Sequence, residues 1–189
     1  MEIAFCIASG PSLTQEDVDF CKGKGAVYAV NDVYKIAPWS DVFYAADYSW
    51  WEVHNSNFLG RKFTVSDKAA QEFGLSLIPG KSTIDWSESP DFIATGGNSG
   101  FQAMNLAAIH GAKKIILLGF DYGYKSDTPK HFFGEHPAKI NRGSDYREWL
   151  DRINKASLKI KIPVLNCSKQ SAITCFPKMS LEDALAYHG

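Results

Sequence analysis

The residues able to do chemistry occur in short polar clusters, several of them directly after an apolar run. Ser9-Gly10-Pro11-Ser12 offers backbone N–H groups and two hydroxyls at a helix start, where the dipole and unpaired donors favour a phosphate. The same four residues also suit a plain strand-to-helix turn capped by Ser12 or Thr14. They form neither the spaced GxGxxG fingerprint nor a P-loop, which disfavours a standard dinucleotide-binding protein or P-loop triphosphatase. Asn31 and Asp32 offer an amide for a base or sugar edge and a carboxylate for a ribose hydroxyl or a metal; a helix cap is the alternative. Asp47 has a similar setting, and the nearby Tyr48, Trp50 and Trp51 read either as a stacking wall or as core. In Gly96-Gly97-Asn98-Ser99-Gly100 the paired glycines permit close backbone approach, and Asn98 or Ser99 can cap a helix while donating to a phosphate or sugar. Asp121 reads as a metal or sugar ligand ahead of a turn-former. His131, Glu135 and His136, within HFFGEHP, are candidates for a general base in a loop. Their order is not HExxH and no predicted helix aligns them, so metal ligation is the weaker reading.

Positioning these clusters requires strands that end together. Apolar runs at 2–8, 26–30 and 41–46 each stop at a polar residue, and a Thr-x-x-Asp start predicts a helix over 14–21. Short strands are expected at 61–65 and 75–78, although the topology of 50–95 does not emerge from the pattern. The clearest unit is a Gly-rich turn at 95–100, a helix over 101–110, a stop at Gly111 and a buried-type strand over 113–118. About two dozen polar, aromatic and Gly/Pro residues follow, up to Gly143, long enough to suggest a functional loop or lid. A helix over 144–160, a strand over 163–166 and a helix over 181–188 capped at Ser180 complete the chain. Strands alternating with helices predict an α/β fold: a single Rossmann-like domain over 1–189 with a mostly parallel central sheet, flanking helices and a lid-like loop around 120–143. In such a sheet ligands bind beyond the carboxyl ends of the strands, where the polar clusters fall.

Composition narrows the partners. With 20 Lys+Arg against 21 Asp+Glu the formal charge is −1, so the chain has no overall excess of cations with which to hold a phosphate polymer, and nucleic acid is a poor partner. Lys125, Lys130, Lys139, Arg142, Arg147 and Arg152 are interleaved with acids and read as a solvated face. The first residues carry no cationic leader, and no segment reaches the length of a membrane span. Cys6, Cys21, Cys167 and Cys175 include no CxxC pair, so free thiols of a cytoplasmic protein are expected. Aromatic residues make up 13%, which suggests ring-lined clefts as well as core.

Taken in order, IASGPSL at 7–13, AVND at 29–32, VFYAAD at 42–47, GNSGFQAMNLAAIHGAKKIILLGFDY at 97–122, HFFGEHP at 131–137 and IPVLNCS at 162–168 resemble the small bacterial sialyltransferases of the modified single-Rossmann type. They also resemble the related MptE-like family, which includes pterin pyrophosphokinases and motility-associated glycosyltransferases, and similar phage-encoded proteins. The resemblance implies a nucleotide or nucleotide-sugar partner, with CMP-sugar the leading donor. It places the nucleotide on Ser9, Gly10, Pro11, Ser12 and Asn31, and the donor on Ser99 and Gly100. His136, with one residue inserted in the motif, corresponds to the base that deprotonates the acceptor hydroxyl, and Tyr122 or Tyr124 to the groups that assist the leaving phosphate. Asp32, Asp47, Gly97, Asn98 and Asp121 complete the expected nucleotide site.

Two departures bear on the donor. The sialyltransferases carry an Arg shortly before the Ser-Gly, where this chain has Thr95-Gly96-Gly97-Asn98, and their Asn after the third strand falls here near Asp47. The expectation is a glycosyltransferase acting by direct displacement, requiring no cofactor. The rivals are a pyrophosphokinase using ATP and Mg²⁺ held by Asp32, Asp47 or Asp121, and a non-catalytic nucleotide-binding phage accessory protein. The acceptor stays open, and a homo-oligomer is compatible with the chain.

Overall fold

The computed structural model describes residues 1–54, 58–123 and 145–188. Its chain order is β1 (Ile3–Ile7), α1 (Gln15–Cys21), β2 (Ala26–Val30), a stretch of 3-10 helix (Asn31–Lys35), β3 (Val42–Tyr44), α2 (Tyr48–His54), β4 (Arg61–Thr64), α3 (Asp67–Phe73), β5 (Ser76–Leu77), β6 (Gly80–Lys81), β7 (Ile93–Ala94), α4 (Ser99–Ile109), β8 (Lys114–Leu118), α5 (Tyr146–Ser157), β9 (Val164–Asn166) and α6 (Leu181–Ala186).

Seven strands form one parallel sheet in the order β5-β4-β3-β2-β1-β8-β9, with β6 and β7 paired separately. This is the single Rossmann-like α/β domain that the alternation of elements predicts. The register is fixed by burial on both faces: Ala4, Cys6, Tyr28, Val30, Ile115 and Leu117 pack on one side with α4 and α5. Their neighbours Phe5, Ile7, Val27, Ala29, Ile116 and Leu118 pack on the other side with α1, α2, α3 and α6. A one-residue slip would exchange these two sets, each already matched to its own helical layer.

Local chemistry sets the helix ends. Thr14 and Asp17 form a reciprocal capping box at α1, and Ser66 accepts from the Ala69 N–H at the start of α3. Asn98 caps α4 by accepting from the Phe101 N–H at 2.9 Å, so that helix begins at Ser99, two residues before its apolar spacing starts. Asp145 caps α5 and Ser180 caps α6. The 50–95 stretch resolves into α2, β4, α3 and short strands. Trp50 and Trp51 belong to the core there, and the Trp51 indole N–H donates to the Ala45 carbonyl at 3.0 Å. The stacking-wall alternative for these two rings is thereby corrected: they pack against Phe43 beneath the sheet. All four cysteines are free thiols. Among the described residues no helix is long and apolar enough to cross a membrane.

Candidate functional site

Strand order reverses at β1, whose neighbours β2 and β8 lead to opposite halves of the sheet. The loops leaving the carboxyl ends of adjacent strands diverge there and leave a crevice. A cleft occupies it. Its floor comes from Ala8, Ser9, Gly10 and Pro11 after β1, Val30 and Asn31 at the end of β2, and Gly119, Asp121, Tyr122 and Gly123 after β8. Its walls are Asn98, Ser99 and Gly100 at the start of α4, and Tyr146 and Trp149 in the first turns of α5.

The first turn differs from the expected phosphate cradle. The Gly10 N–H donates to the Gly119 carbonyl at 2.9 Å. Both the N–H and the hydroxyl of Ser12 donate to the Asp121 carboxylate, at 2.8 and 2.5 Å. Pro11 has no N–H to offer. A carboxylate of the chain itself therefore takes the Ser12 donors assigned to a phosphate, and Ser12 and Asp121 join the loops after β1 and β8. Asp121 is buried and Ser12 half-buried, so the link is partly shielded from water. Close approach of the two loops depends on Gly119: its φ is 65°, and a Cβ there would lie 2.1 Å from the Ala8 carbonyl oxygen.

The start of α4 has uncommitted donors. The Ser99 and Gly100 N–H groups cannot be satisfied within the helix, and no acceptor meets them among the described residues. The Ser99 hydroxyl oxygen accepts from the Ala46 N–H at 3.3 Å, leaving its proton available. Asn98 Oδ1 accepts from Phe101 N–H and from the Tyr122 hydroxyl at 2.8 Å, which fixes its amide orientation. Its Nδ2 is consequently buried without a partner. Burial raises the Tyr122 phenol well above its usual pKa, so it remains a protonated donor, spent on Asn98. Tyr122 and Asn31 are the two non-glycine residues with positive φ, at 45° and 51°, among the described residues.

Of the residues expected to bind the nucleotide, Ser9, Gly10, Pro11, Asn31, Asn98, Ser99, Gly100 and Asp121 line this cleft, as does Tyr122, expected to be catalytic. Ser12 lies behind it, turned to Asp121. Gly97 backs onto the Trp149 ring. Asp32 is turned away: its carboxylate pairs with Lys35 at 2.9 Å and approaches His54 at 3.5 Å. Asp47 is exposed at the start of α2, where its carbonyl accepts from the Trp50 and Trp51 N–H groups. Among the described residues no three acids, histidines or cysteines converge on a point that could hold a metal. His136, Tyr124, His131 and Glu135 lie outside the described residues.

Sequence reasoning missed Tyr146 and Trp149. Their signal was available: aromatic residues three apart at the first turns of a helix that starts where the long loop returns to the strand ends. No Lys, Arg or His lines the cleft among the described residues, and Asp121 is the charged residue that does. A larger groove near the end of β9 carries a charge pair on its wall, Lys169 bound to Asp17 at 2.8 Å. Comparison of the chain with protein-family models, with curated proteins and with solved structures finds no match.

Proposed function

We propose that this chain is a nucleotide-sugar-dependent glycosyltransferase that binds its donor in the cleft at β1, β2 and β8, with a CMP-sugar as the leading donor. The observation that carries the binding half of this reading is the convergence of strain on one place. Asn31 and Tyr122 both adopt left-handed backbone conformations, and both line the cleft. For a tyrosine that conformation costs on the order of 1–3 kcal/mol, and such strain clusters at functional sites.

The donor set supports a ligand with one phosphate. Ser99 and Gly100 N–H groups at an 11-residue helix can stabilise a developing phosphate charge, which is where most of the rate would come from. The chemistry is direct displacement at the anomeric carbon: the acceptor oxygen bonds to that carbon as the bond to the nucleotide phosphate breaks. His136, which the resemblance gives as the base, would take the acceptor proton.

The pyrophosphokinase alternative needs carboxylates gathered around Mg²⁺. Asp121 is tied to Ser12, Asp32 faces Lys35 and His54, and Asp47 is exposed beside α2. A non-catalytic nucleotide-binding role is favoured by one observation, the prior commitment of the Gly10 and Ser12 donors.

Thermal unfolding with CMP, CDP, UDP, GDP, ADP or ATP, each with Mg²⁺ and with EDTA, separates the readings. The expected result is stabilisation by CMP in EDTA, about 2.7 kcal/mol at 100 times its dissociation constant. Stabilisation only by ATP or ADP with Mg²⁺ would replace this reading by the pyrophosphokinase, and no shift with any nucleotide would overturn it. Once CMP binds, hydrolysis of a CMP-sugar should fall about 100-fold or more in His136→Ala; unchanged turnover would remove His136 as the base, and no turnover by the wild type would favour the non-catalytic role.

A further inference from the structure

We infer that Trp149, steadied by Tyr146, is the stacking face for the donor's nucleobase and so a specificity-determining residue of the cleft. This deepens the reading above and rests on it.

Among the described residues three rings line the cleft, and they are not equivalent. Tyr122 is already used: Phe120 stacks on it at 6.0 Å and 27°, and its hydroxyl is bound to Asn98. Tyr146 meets Trp149 edge to face, at 5.3 Å and 82°. Trp149 is tilted 60° against Tyr122 at 5.6 Å, so neither neighbour lies parallel to the indole. The side chain is only half-buried. A half-buried indole with no described ring lying parallel to it presents a surface suited to a planar heterocycle.

Gly97 shows that the indole position is built into the fold. A Cβ at that position would lie 3.1 Å from Trp149 Cδ1 and 3.3 Å from Nε1, and the backbone there has φ of 83°. The glycine-rich turn thus leaves room for the ring as well as shaping the start of α4.

Other unspent groups of the cleft can answer a base edge. Asn31 carries an amide with no hydrogen bond among the described residues, and Asn98 Nδ2 is a donor without a partner there. Carbonyl and ring-nitrogen acceptors of a pyrimidine match such donors, while its face covers the indole. The phosphate would then lie toward the Ser99 and Gly100 N–H groups.

The test combines calorimetric CMP binding with tryptophan emission in the full chain, for the wild type, Trp149→Phe and Trp149→Leu. Trp149 is the one of five tryptophans that lines the cleft, so CMP should quench wild-type emission. Trp149→Phe keeps a ring: it should bind CMP within about threefold of the wild type yet lose the quench. Trp149→Leu keeps bulk without a ring and should bind about 10-fold more weakly, as expected for loss of base–aromatic stacking. A quench that persists in Trp149→Phe, or equal affinity in both variants, would overturn the assignment while leaving nucleotide binding intact. If Trp149→Leu does not fold, the Phe variant decides through its emission alone. No heat of binding and no quench in the wild type would overturn both this inference and the nucleotide reading.

Discussion

Asp121 shows how one residue type at one spacing can serve two purposes. A carboxylate just past a buried strand reads as a ligand for metal or sugar, and the side chain does border the cleft. Its oxygens nevertheless take the Ser12 N–H and hydroxyl, so its first task is to join the loops after β1 and β8. Sequence could not decide this, because Ser12 and Asp121 are brought together only by the pairing of β1 with β8. Replacing Asp121 by Ala leaves two half-buried Ser12 donors without their acceptor, which costs about 1 kcal/mol, the lower end for a buried unsatisfied group. Urea unfolding should therefore show a loss of about that size; a loss below about 0.5 kcal/mol would mean that the link carries little of the turn's stability.

Elements were more legible than contacts. Runs such as 26–30 and 113–118 are apolar on both faces, as strands buried between two helical layers must be, and they appear as β2 and β8. Thr14-x-x-Asp17 announces α1 because its capping box is a local interaction. In contrast, α2 and α3 have only 7 residues each and lean on tertiary partners, so their periodicity is too brief to read. Tyr146 and Trp149 were missed for a related reason: the helix was visible, but the wall it forms depends on where the chain returns after the long loop. Between elements, α4 is tied to β2 by His110 and the Tyr28 hydroxyl, 2.8 Å apart. Burial, reinforced by the nearby Arg61 charge, holds the His110 pKa below its ordinary value of about 6.5. As pH falls below that value the unfolded chain takes up the proton first, so stability decreases until the folded imidazole also titrates. Unfolding free energies of the wild type and His110→Phe at pH 7 and pH 5 should reveal a larger acid loss in the wild type. An equal loss in both would remove His110 from the acid response.

At the scale of the molecule, the sheet order dictates where binding can occur. Because β1 sits between β2 and β8, the turns that follow these three strands meet at one crevice, and α4 starts there with N–H groups that meet no acceptor among the described residues. The polar clusters at 9–12, 31, 98–100 and 121–122, far apart in sequence, lie together for that reason alone. Net charge near zero and a cleft without lysine or arginine among the described residues favour a ligand held by dipoles, hydrogen bonds and stacking over one held by bulk charge. The most direct measurement of the central claim is a CMP titration of the ¹⁵N-labelled protein in EDTA, followed by amide chemical shifts. The account expects the largest shifts at Asn31, Asn98, Ser99, Gly100 and the Trp149 indole, saturating together. Shifts confined to the groove beside Lys169, or none up to millimolar CMP, would contradict it.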